Sequence, residues 1–520
     1  MFLSATHLLC LSAVLFQAAS ASRCSPKYFP KPELTGAAIL DLQAHEAHNF
    51  STVSLGPGTN DGGRYTISFC NVTVLHTHPG WNDTVTTQVW LPLEGWNGRF
   101  QGLGGGGYST GFGSTYLTYA VAQGFAASST DGGHTTGAGA IPTDLEWALS
   151  SKGNVNWFLL ENYASKATND MAVIGKQITK SYYQRAANYS YFTGCSGGGR
   201  QGLAMAQNFP DAFDGILAVA PALNIETFIP AAFWPTQVMN ILGTYPSPCE
   251  VEAFVSAAVK ACDLLDGVQD GIISFPDLCN VTAHSFVGQE YTCQGTAHRL
   301  TASGATAVQA AWSGSGKDGW FGVNKDAALT TLYVPTACAA NGTCYSSGAD
   351  LSGNWFRYLV AKDPEFALDN MTETTFFQNL HASAFQYAPM LANTSPDLSK
   401  FKGSGGKVIT WHGLADEAIP PRGSTKYFEE VLKADPNAHD FYRLFEAPGV
   451  GHCYGGPGPV PNGALSQLMD WVEKDLAPAT LQATKGNNGT ARDLCPYPLQ
   501  QKFIGGDARN ASSFTCVKVT

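Results

Sequence analysis

The feature that most constrains the fold of this chain is an alternation of predicted buried strands and helices, which is interrupted and later resumes. From residue 85 onwards, apolar segments such as TVTTQVWLPL, YSYFTG and FDGILAVAPA alternate with glycine-containing turns and with stretches of helical periodicity. Strand, helix and strand in this order are typical of parallel β/α units that share one sheet. The alternation resumes at KVITWHGLADEAIPP, residues 407–421, so the sequence predicts one α/β core with a long interruption.

The interruption spans residues 225–405 and differs in character from its flanks. It is rich in loops, carries six cysteines and shows only scattered helical patterns. We therefore predict that residues 22–224 and 406–520 form one α/β domain and that residues 225–405 form an inserted lid domain. A chain of 520 residues is long enough to bury such a core and to carry the insertion.

A candidate nucleophile lies in the stretch GCSGGG, in which Ser196 directly follows Cys195. The stretch matches G-x-S-x-G between a predicted strand and a predicted helix, a context in which glycines permit a turn that lifts the serine hydroxyl clear. The free N–H groups of the following helix point to the same place. A glycine-flanked serine alone is compatible with an ordinary turn, but this context favours a nucleophile. It predicts an α/β-hydrolase fold with a large inserted lid domain.

A serine nucleophile needs a base and an acid that orients the base, and in this fold they follow in the order acid, then histidine. Asp416 comes just after a buried strand, and His452 lies in a glycine-rich loop after the next strand. Glu417 is the rival acid, although it also fits a solvent-facing loop residue. His412 is the rival base, but it precedes the acid and fits a structural histidine at the strand end. We predict the triad Ser196, Asp416 and His452.

Cysteines adjoin two members of this predicted triad, because Cys195 precedes the serine and Cys453 follows His452. If the serine and the histidine touch, their neighbours come within the Cα separation of about 6 Å that a disulfide requires. We predict a Cys195–Cys453 bridge that ties the nucleophile loop to the base loop. The alternative is that each cysteine pairs elsewhere.

The oxyanion hole of such a site needs two backbone N–H donors. Gly197, the residue after the nucleophile, should supply one of them. The glycine-rich segment GLGGGGYSTG should supply the other, from Gly106 or from Gly107, and Gly106 is the residue that we choose. A flexible loop is the alternative, whereas a phosphate-binding loop is excluded because no Lys-Ser/Thr pair follows the glycines.

The N-terminus and the cysteines indicate a secreted protein. Residues 1–21 contain a short apolar run followed by Ala19-Ser20-Ala21, which fits a signal peptide and is too short for a membrane span. Cys10 leaves with the signal, and twelve cysteines remain, an even number suited to disulfides. Ten Asn-x-Ser/Thr sequons predict glycosylation: Asn49, Asn71, Asn82, Asn188, Asn280, Asn341, Asn370, Asn393, Asn488 and Asn510. The net charge of −11 argues against a nucleic-acid partner, and no segment predicts a membrane-bound mature protein.

Five motifs together resemble the fungal tannase and feruloyl esterase family: GCSGGGRQG, FPDAFDGILAVAPA, HGLADEAIPP, GHC and DWVEKDLAP. The resemblance extends from about residue 85 to residue 480, with the insertion in the place of the family's lid. It implies a secreted serine carboxylesterase, without an organic cofactor, that hydrolyses esters of aromatic acids. A feruloyl esterase acting on plant cell-wall hydroxycinnamates is our first expectation, and a tannase that cleaves galloyl esters is the alternative. A catalytically inactive binding protein of the same fold is a remote alternative, because this chain keeps all three triad residues.

The insertion contains the acidic segment CDLLDGVQDGIISFPDLC. Asp263, Asp266 and Asp270 place three carboxylates within eight residues, and oxygen ligands at this density suit calcium, although an acidic surface turn is the alternative. The resemblance implies a structural calcium that also uses the backbone carbonyls of Val268 and Ile272. Cys262 and Cys279 bracket the segment, and we expect them to pair.

Other expectations concern the substrate pocket and the two termini. The lid segment GNWFRYLV makes Trp355 and Phe356 candidates for the substrate pocket, although both also fit the core of the lid. Pairs Cys24–Cys70 and Cys495–Cys516 would pin the two ends of the mature chain. The pairing of the remaining cysteines stays open at this stage.

Overall fold

The computed structural model describes residues 23–135, 142–316, 319–348, 350–486 and 489–518. The predicted signal peptide and the sequon at Asn488 lie outside the described residues. Within the described part, no helix combines the length and the apolar character that crossing a membrane requires.

The strands follow one another along the whole chain, and their bounds are: β1 Ala38–Ser54, β2 Gly63–Thr77, β3 Val85–Pro92, β4 Arg99–Leu103, β5 Ala126–Thr130, β6 Leu149–Ser151, β7 Asn154–Val155, β8 Tyr189–Cys195, β9 Gly215–Val219, β10 Glu290–Cys293, β11 Thr296–Arg299, β12 Thr336–Cys338, β13 Cys344–Ser346, β14 Lys407–Gly413, β15 Tyr442–Ala447, β16 Leu481–Lys485, β17 Thr490–Leu494, β18 Leu499–Phe503 and β19 Phe514–Lys518. Nine of them form one sheet in the order β1-β2-β3-β5-β4-β8-β9-β14-β15. The pairs from β1 to β5 are antiparallel, and those from β5 through β4 to β15 are parallel. The parallel half confirms the predicted β/α core.

The parallel strands are buried along nearly their whole length, as apolar runs covered by helices on both faces require. The helices that cover the sheet or build the insertion have these bounds: α1 Ser114–Ala122, α2 Trp157–Glu161, α3 Ala167–Tyr183, α4 Gly197–Asn208, α5 Ile225–Ala231, α6 Trp234–Leu242, α7 Pro248–Cys262, α8 Ala302–Ser313, α9 Asp350–Asn354, α10 Glu373–Leu391, α11 Ser399–Gly403, α12 Arg422–Ala434 and α13 Ala464–Lys474. A π-helical turn at Asn162–Lys166 joins α2 to α3.

The chain between β9 and β14 adds no described strand to the main sheet. Its helices α6, α7 and α8 enclose a separate apolar cluster that includes Met239, Phe254 and Trp312. Near its end, Leu398 and Phe401 instead pack into the core of the α/β domain. The insertion therefore leaves the core after β9 and returns to it shortly before β14.

Six disulfides join all twelve cysteines of the described chain. The predicted pairs Cys24–Cys70, Cys195–Cys453, Cys262–Cys279 and Cys495–Cys516 are confirmed. The pairs that the sequence left open are Cys249–Cys293 and Cys338–Cys344, both within the insertion.

Candidate active site

Ser196 occupies the turn between β8 and α4, with backbone angles φ 62° and ψ −123°. This left-handed region is uncommon for a residue with a side chain and marks a strained turn. The surrounding glycines are required by contact, because a Cβ on Gly194 would overlap the backbone of Gly198 and one on Gly198 would lie 2.7 Å from the Gly105 oxygen. Two hydrogen bonds hold the turn, from the Ser196 amide to the Val219 carbonyl and from the Ala222 amide to the Ser196 carbonyl.

Asp416 and His452 meet beside this turn. Asp416 follows β14 and is fully buried, and its Oδ2 lies 2.9 Å from His452 Nδ1. The other oxygen, Oδ1, accepts the backbone N–H groups of Ala418 and Ile419, each at 2.8 Å. Because Nδ1 of His452 is engaged by the carboxylate, Nε2 is the ring nitrogen that can exchange a proton with a serine.

The two rival residues of the sequence analysis hold the acid and the base in place. His412 is buried, and its Nε2 lies 3.1 Å from both Asp416 Oδ2 and the Ile419 carbonyl, while its Nδ1 lies 2.8 Å from Ser424 Oγ. Nε2 therefore carries the proton and donates to the carboxylate. Glu417 accepts the backbone N–H of His452 at its Oε2, 3.0 Å away. Glu417 directly follows the acid, and His412 lies near the end of β14. Their supporting roles depend on the geometry of the loops, which the sequence does not show.

Electrostatics favour a charged acid and a readily protonated base. Burial alone would raise the pKa of Asp416, but His452 and His412 outweigh burial and hold the pKa of that carboxyl well below its usual range. Burial would lower the pKa of His452, but the attraction and hydrogen bond of Asp416, with a further contribution from Glu417, raise it overall. An imidazolium formed during a reaction would thus be stabilised where it forms.

The Cys195–Cys453 disulfide joins the nucleophile turn to the histidine loop, with a Cα–Cα distance of 5.9 Å. Cys453 has a positive φ of 67°, so the bridge closes on a residue in the left-handed region. The two bridged residues are the immediate chain neighbours of Ser196 and His452. A covalent link therefore limits the separation of these two side chains.

The glycine-rich loop after β4 corrects one of our predictions. The amide of Gly106 donates to the Ser109 carbonyl at 3.2 Å, so it is not available as an oxyanion donor. The Gly107 amide has no hydrogen-bond acceptor among the described residues, and its φ of 54° turns the chain at this point. The loop lies against Gly197, whose amide begins α4 and has no intrahelical acceptor. The structure therefore favours Gly197 and Gly107 as the donor pair.

Two side chains that the sequence analysis did not single out hold this loop. The amide of Gly105 donates to Gln201 Oε1 at 3.0 Å, and Gln201 Nε2 donates to the Thr110 carbonyl. The hydroxyl of Tyr163 donates to the Gly107 carbonyl at 2.9 Å. Gln201 lies within the GCSGGGRQG motif, which was the only sequence signal for this role.

A cavity of about 600 Å³ opens over Ser196 and His452. One part of its wall comes from the α/β core, including Phe112, Tyr116 and Tyr454, and the other part comes from the insertion. The apolar residues of the insertion on this wall are Ile225, Phe228, Ile229, Ala328, Leu332 and Leu351. Two acidic residues, Asp326 and Glu417, are among the described lining residues, but both carboxyl oxygens of Asp326 are buried, and burial raises the pKa of this group to about 6. The cavity suits an apolar, flat group with few polar substituents.

Trp355 and Phe356 are not on this wall. Both are almost fully buried: Phe356 lies in an apolar cluster of the insertion, and Trp355 lies in a cluster that the insertion shares with the α/β domain. The Trp355 indole donates to Ser383 Oγ at 2.7 Å, and its ring packs against Tyr108, which does line the cavity. The prediction that they line the substrate pocket is therefore corrected: Phe356 belongs to the core of the insertion, Trp355 belongs to the packing between the insertion and the α/β domain, and helices α5 and α10 contribute to both clusters.

The acidic segment of the insertion forms a tight loop between α7 and the Cys279 end of its disulfide. Asp263 Oδ1 accepts the amides of Asp270 and Gly271, each at 3.0 Å, and Asp266 Oδ1 accepts the amide of Val268 at 3.1 Å. Asp266 Oδ2 and Asp270 Oδ1 are buried without a hydrogen-bond partner among the described residues. Burial and the neighbouring carboxylates raise the pKa values of Asp266 and Asp270.

These two unpartnered oxygens could bind a cation, but the three carboxylates are farther apart than the ligands of a bound ion. Within the described residues, the carboxylates of Asp263, Asp266 and Asp270 do not form a group whose ligand atoms all lie within 4.8 Å of one another. Arg492 from β17 supplies positive charge from outside, since its guanidinium lies 3.1 Å from Asp270 Oδ2.

A nucleophile turn at the carboxyl end of a parallel strand, with the acid and then the base arriving later in the chain, is the layout of an α/β hydrolase. Within that class, residues 70–517 match the family described as tannase and feruloyl esterase. The chain belongs to this family and is a carboxylic ester hydrolase. The resemblance seen in the sequence is thereby confirmed.

Similar proteins cover nearly the whole chain. It is 39% identical, over 94% of its length and 92% of the other, to a probable feruloyl esterase of Arthroderma benhamiae. It is 30% identical, over 88% of its length and 86% of the other, to a tannase of Aspergillus oryzae. Among solved structures, tannin acyl hydrolase from Aspergillus niger superposes with a TM-score of 0.84 at 29% identity, covering 95% of each chain. Feruloyl esterase B from Aspergillus oryzae gives 0.76 at 26% identity, over 93% of this chain and 97% of the other.

Proposed function

We propose that this protein is a secreted feruloyl esterase that releases hydroxycinnamic acids from plant cell-wall esters. The observation that carries the proposal is the apolar, aromatic-walled cavity over Ser196 in a chain of this family. The 39% identity to a probable feruloyl esterase over nearly the whole chain supports this substrate class.

The proposed reaction is acyl transfer through Ser196. The serine oxygen attacks the ester carbonyl, and His452 takes the serine proton and passes it to the departing alcohol. Asp416 keeps Nδ1 of His452 protonated and stabilises the imidazolium. The amides of Gly197 and Gly107 bind the oxyanion. Water, deprotonated by the same histidine, then releases the aromatic acid and restores the serine hydroxyl.

The cavity wall supports a cinnamate ring more readily than a heavily hydroxylated one. Its insertion side is formed mainly by aliphatic and aromatic residues, and only a few polar side chains of the described wall, among them Tyr116 and Tyr454 of the α/β core, could meet ring substituents. A site built for three ring hydroxyls requires more hydrogen-bonding partners, because each unmet polar group costs free energy.

Tannase activity is the second candidate, and one observation favours it. The superposition on tannin acyl hydrolase has the higher TM-score, 0.84 against 0.76 for feruloyl esterase B. Comparing kcat/KM for methyl ferulate, caffeate, sinapate, p-coumarate and gallate separates the two candidates. A preference for gallate would overturn the feruloyl esterase proposal.

The assignment of Ser196 has its own test. Ser196→Ala should lower kcat by several orders of magnitude, because the triad members act as one unit. The variant should keep the melting temperature of the parent, and a fluorophosphonate should label the parent alone. A variant that retains a substantial part of the parent's kcat would show that the nucleophile lies elsewhere.

We also propose a structural calcium in the acidic loop, held by the side chains of Asp263, Asp266 and Asp270. Carbonyl oxygens of Val268 and Ile272 would complete the set of oxygen ligands, which suits calcium. The buried, unpartnered oxygens of Asp266 and Asp270 support this proposal. The loop lies between the disulfide-paired Cys262 and Cys279, and none of its residues is among the described residues that line the catalytic cavity.

Secretion is proposed from residues 1–21 and is consistent with the six disulfides. Seven sequon asparagines are exposed and should carry glycans: Asn49, Asn82, Asn188, Asn280, Asn341, Asn370 and Asn510. Asn393 should remain unmodified, because its Oδ1 accepts a hydrogen bond from the buried Arg200. Mass spectrometry of glycopeptides from the secreted protein tests these assignments, and a glycan on Asn393 would contradict the last one.

A further inference from the structure

A group of buried metal-ligand side chains lies outside the catalytic cavity, at the end of β2. His76 is in β2, His78 follows it, and Asp170 lies on α3. One ligand atom from each residue lies within 4.8 Å of the other two, and all three residues are buried. We refer to these three residues as the histidine–carboxylate cluster.

His76 has no hydrogen-bond partner that would explain its burial. Its side chain is fully inaccessible, and neither ring nitrogen forms a hydrogen bond to any described residue. Nε2 lies 4.0 Å from Asp170 Oδ2, a separation too long for a direct hydrogen bond. A buried imidazole in this condition loses the hydrogen bonds it makes to water in the unfolded chain. The ring therefore points to an occupant between it and the carboxylate.

His78 is oriented as a metal-binding histidine is oriented. Its Nδ1 lies 2.6 Å from Asp83 Oδ2, and its Nε2 lies 2.9 Å from Asp170 Oδ2. Asp83 is itself fixed, because its oxygens accept the hydroxyl of Thr77, the amide of His78 and the side-chain N–H of Asn162. A carboxylate on the far nitrogen sets the tautomer and directs the other nitrogen to the metal.

Lys166 is the positive group that now faces the cluster. Its Nζ lies 2.5 and 2.6 Å from the two oxygens of Asp170. The lysine side chain keeps 22% of its surface exposed, whereas the Asp170 side chain keeps 1%. The ammonium can therefore move to solvent while the carboxylate stays, so a divalent cation can replace it.

We propose that His76, His78 and Asp170 form a binding site for a divalent transition metal of the Zn²⁺ type. Two imidazole nitrogens and one carboxylate oxygen suit Zn²⁺ and not calcium, which prefers oxygen ligands alone. Binding would release the Nε2 proton of His78 and displace the Lys166 ammonium from Asp170. The bound ion would fasten the end of β2 to α3 and stabilise the fold.

The test is calorimetric titration of Zn²⁺ into the full-length mature protein, stripped with EDTA and dialysed into excess calcium so that the acidic loop is saturated. The parent should bind one equivalent of Zn²⁺, and its melting temperature should rise on binding. Asp83→Asn should weaken the affinity by about 10- to 100-fold, the range for outer carboxylates of metal-bound histidines. Lys166→Met should strengthen it, because the competing cation is gone.

The matched control is His45→Ala, which removes an exposed histidine of the neighbouring strand β1. This variant should bind Zn²⁺ as the parent does, whereas His76→Gln should lose the saturable equivalent while keeping esterase activity and circular dichroism. Retained binding in His76→Gln would overturn the proposal. The absence of saturable Zn²⁺ binding in both the parent and Lys166→Met would also overturn it. The lysine variant is included because it exposes the site to Zn²⁺ without competition from the Lys166 ammonium.

Discussion

Replacing Cys195 and Cys453 together by alanine removes the covalent link between the nucleophile turn and the histidine loop without removing a catalytic atom. The chain closed by this bridge spans 258 residues. A chain-entropy treatment gives a stabilisation of about 5.5 kcal/mol as an upper value. The bridges Cys249–Cys293 and Cys338–Cys344 lie inside the loop and shorten its effective length by about 50 residues. Because the dependence is logarithmic, they reduce the figure by only about 0.2 kcal/mol.

The larger effect should fall on catalysis. Ser196 and His452 sit on separate loops, and the bridge holds the Cα atoms of their neighbours 5.9 Å apart. Without it, the two loops can sample longer separations, and a misplacement of about 1 Å can cost about 10²-fold in rate. We expect kcat on methyl ferulate to fall to that extent, while KM changes less, because the insertion side of the cavity wall belongs to neither loop.

The double variant Cys249→Ala/Cys293→Ala is the matched control, since it removes a bridge of the insertion at a distance in sequence from the triad. The same treatment gives about 4 kcal/mol for its span of 44 residues. The control should lose stability in denaturant titrations but keep its kcat. If the Cys195/Cys453 variant loses stability and yet retains the kcat of the control, the bridge stabilises the fold only, and this reasoning about loop separation is refuted.

Three further predictions test the surroundings of the site. Glu417→Gln keeps an acceptor for the His452 amide but removes a charge that raises the pKa of His452. The acid limb of kcat/KM should therefore move to lower pH, and an unmoved limb in pH–rate profiles would contradict this. Asp263→Asn with Asp270→Asn should abolish calcium binding in elemental analysis, and added calcium should raise the melting temperature of the parent but not of the variant. Gln201→Leu removes the anchor of the Gly105 amide; kcat should fall by about 10- to 10²-fold with KM nearly unchanged, and an equal rise in KM would argue against a role in the oxyanion loop.

The fold was predictable because its signals are local and repeated. The parallel strands are continuous apolar runs, and the turn at Ser196 carries glycines that its backbone contacts require. The bridge of Cys195 and Cys453 was predictable for another reason, namely that each cysteine is the chain neighbour of a predicted triad residue. In these cases the position of a residue along the chain was sufficient to predict its place in the fold.

The errors arose where tertiary contacts decide between adjacent residues. Gly106 and Gly107 are equivalent in sequence, but the amide of Gly106 is taken by the Ser109 carbonyl. Trp355 and Phe356 have the composition of a substrate wall, but helices packed around them bury both. The hydrophobic periodicity of a sequence does not show which backbone amide already has a hydrogen-bond acceptor, or whether an aromatic ring faces a cavity.

The histidine–carboxylate cluster has no complete motif in the sequence, because tertiary contacts bring its carboxylate to the histidines. His76 and His78 are two positions apart, but Asp170 lies 92 positions after His78 on a helix, so no spacing in the sequence connects the carboxylate to the histidines. The triad is also dispersed, yet it was found because the order of nucleophile, acid and base is fixed by the fold. A metal site assembled from β2 and α3 has no such rule. Its signature is energetic: a buried imidazole without hydrogen bonds, beside a carboxylate that a partly exposed lysine neutralises. Leaving such a group without a partner costs about 1–3 kcal/mol, and the zinc titration tests whether a metal ion supplies that partner.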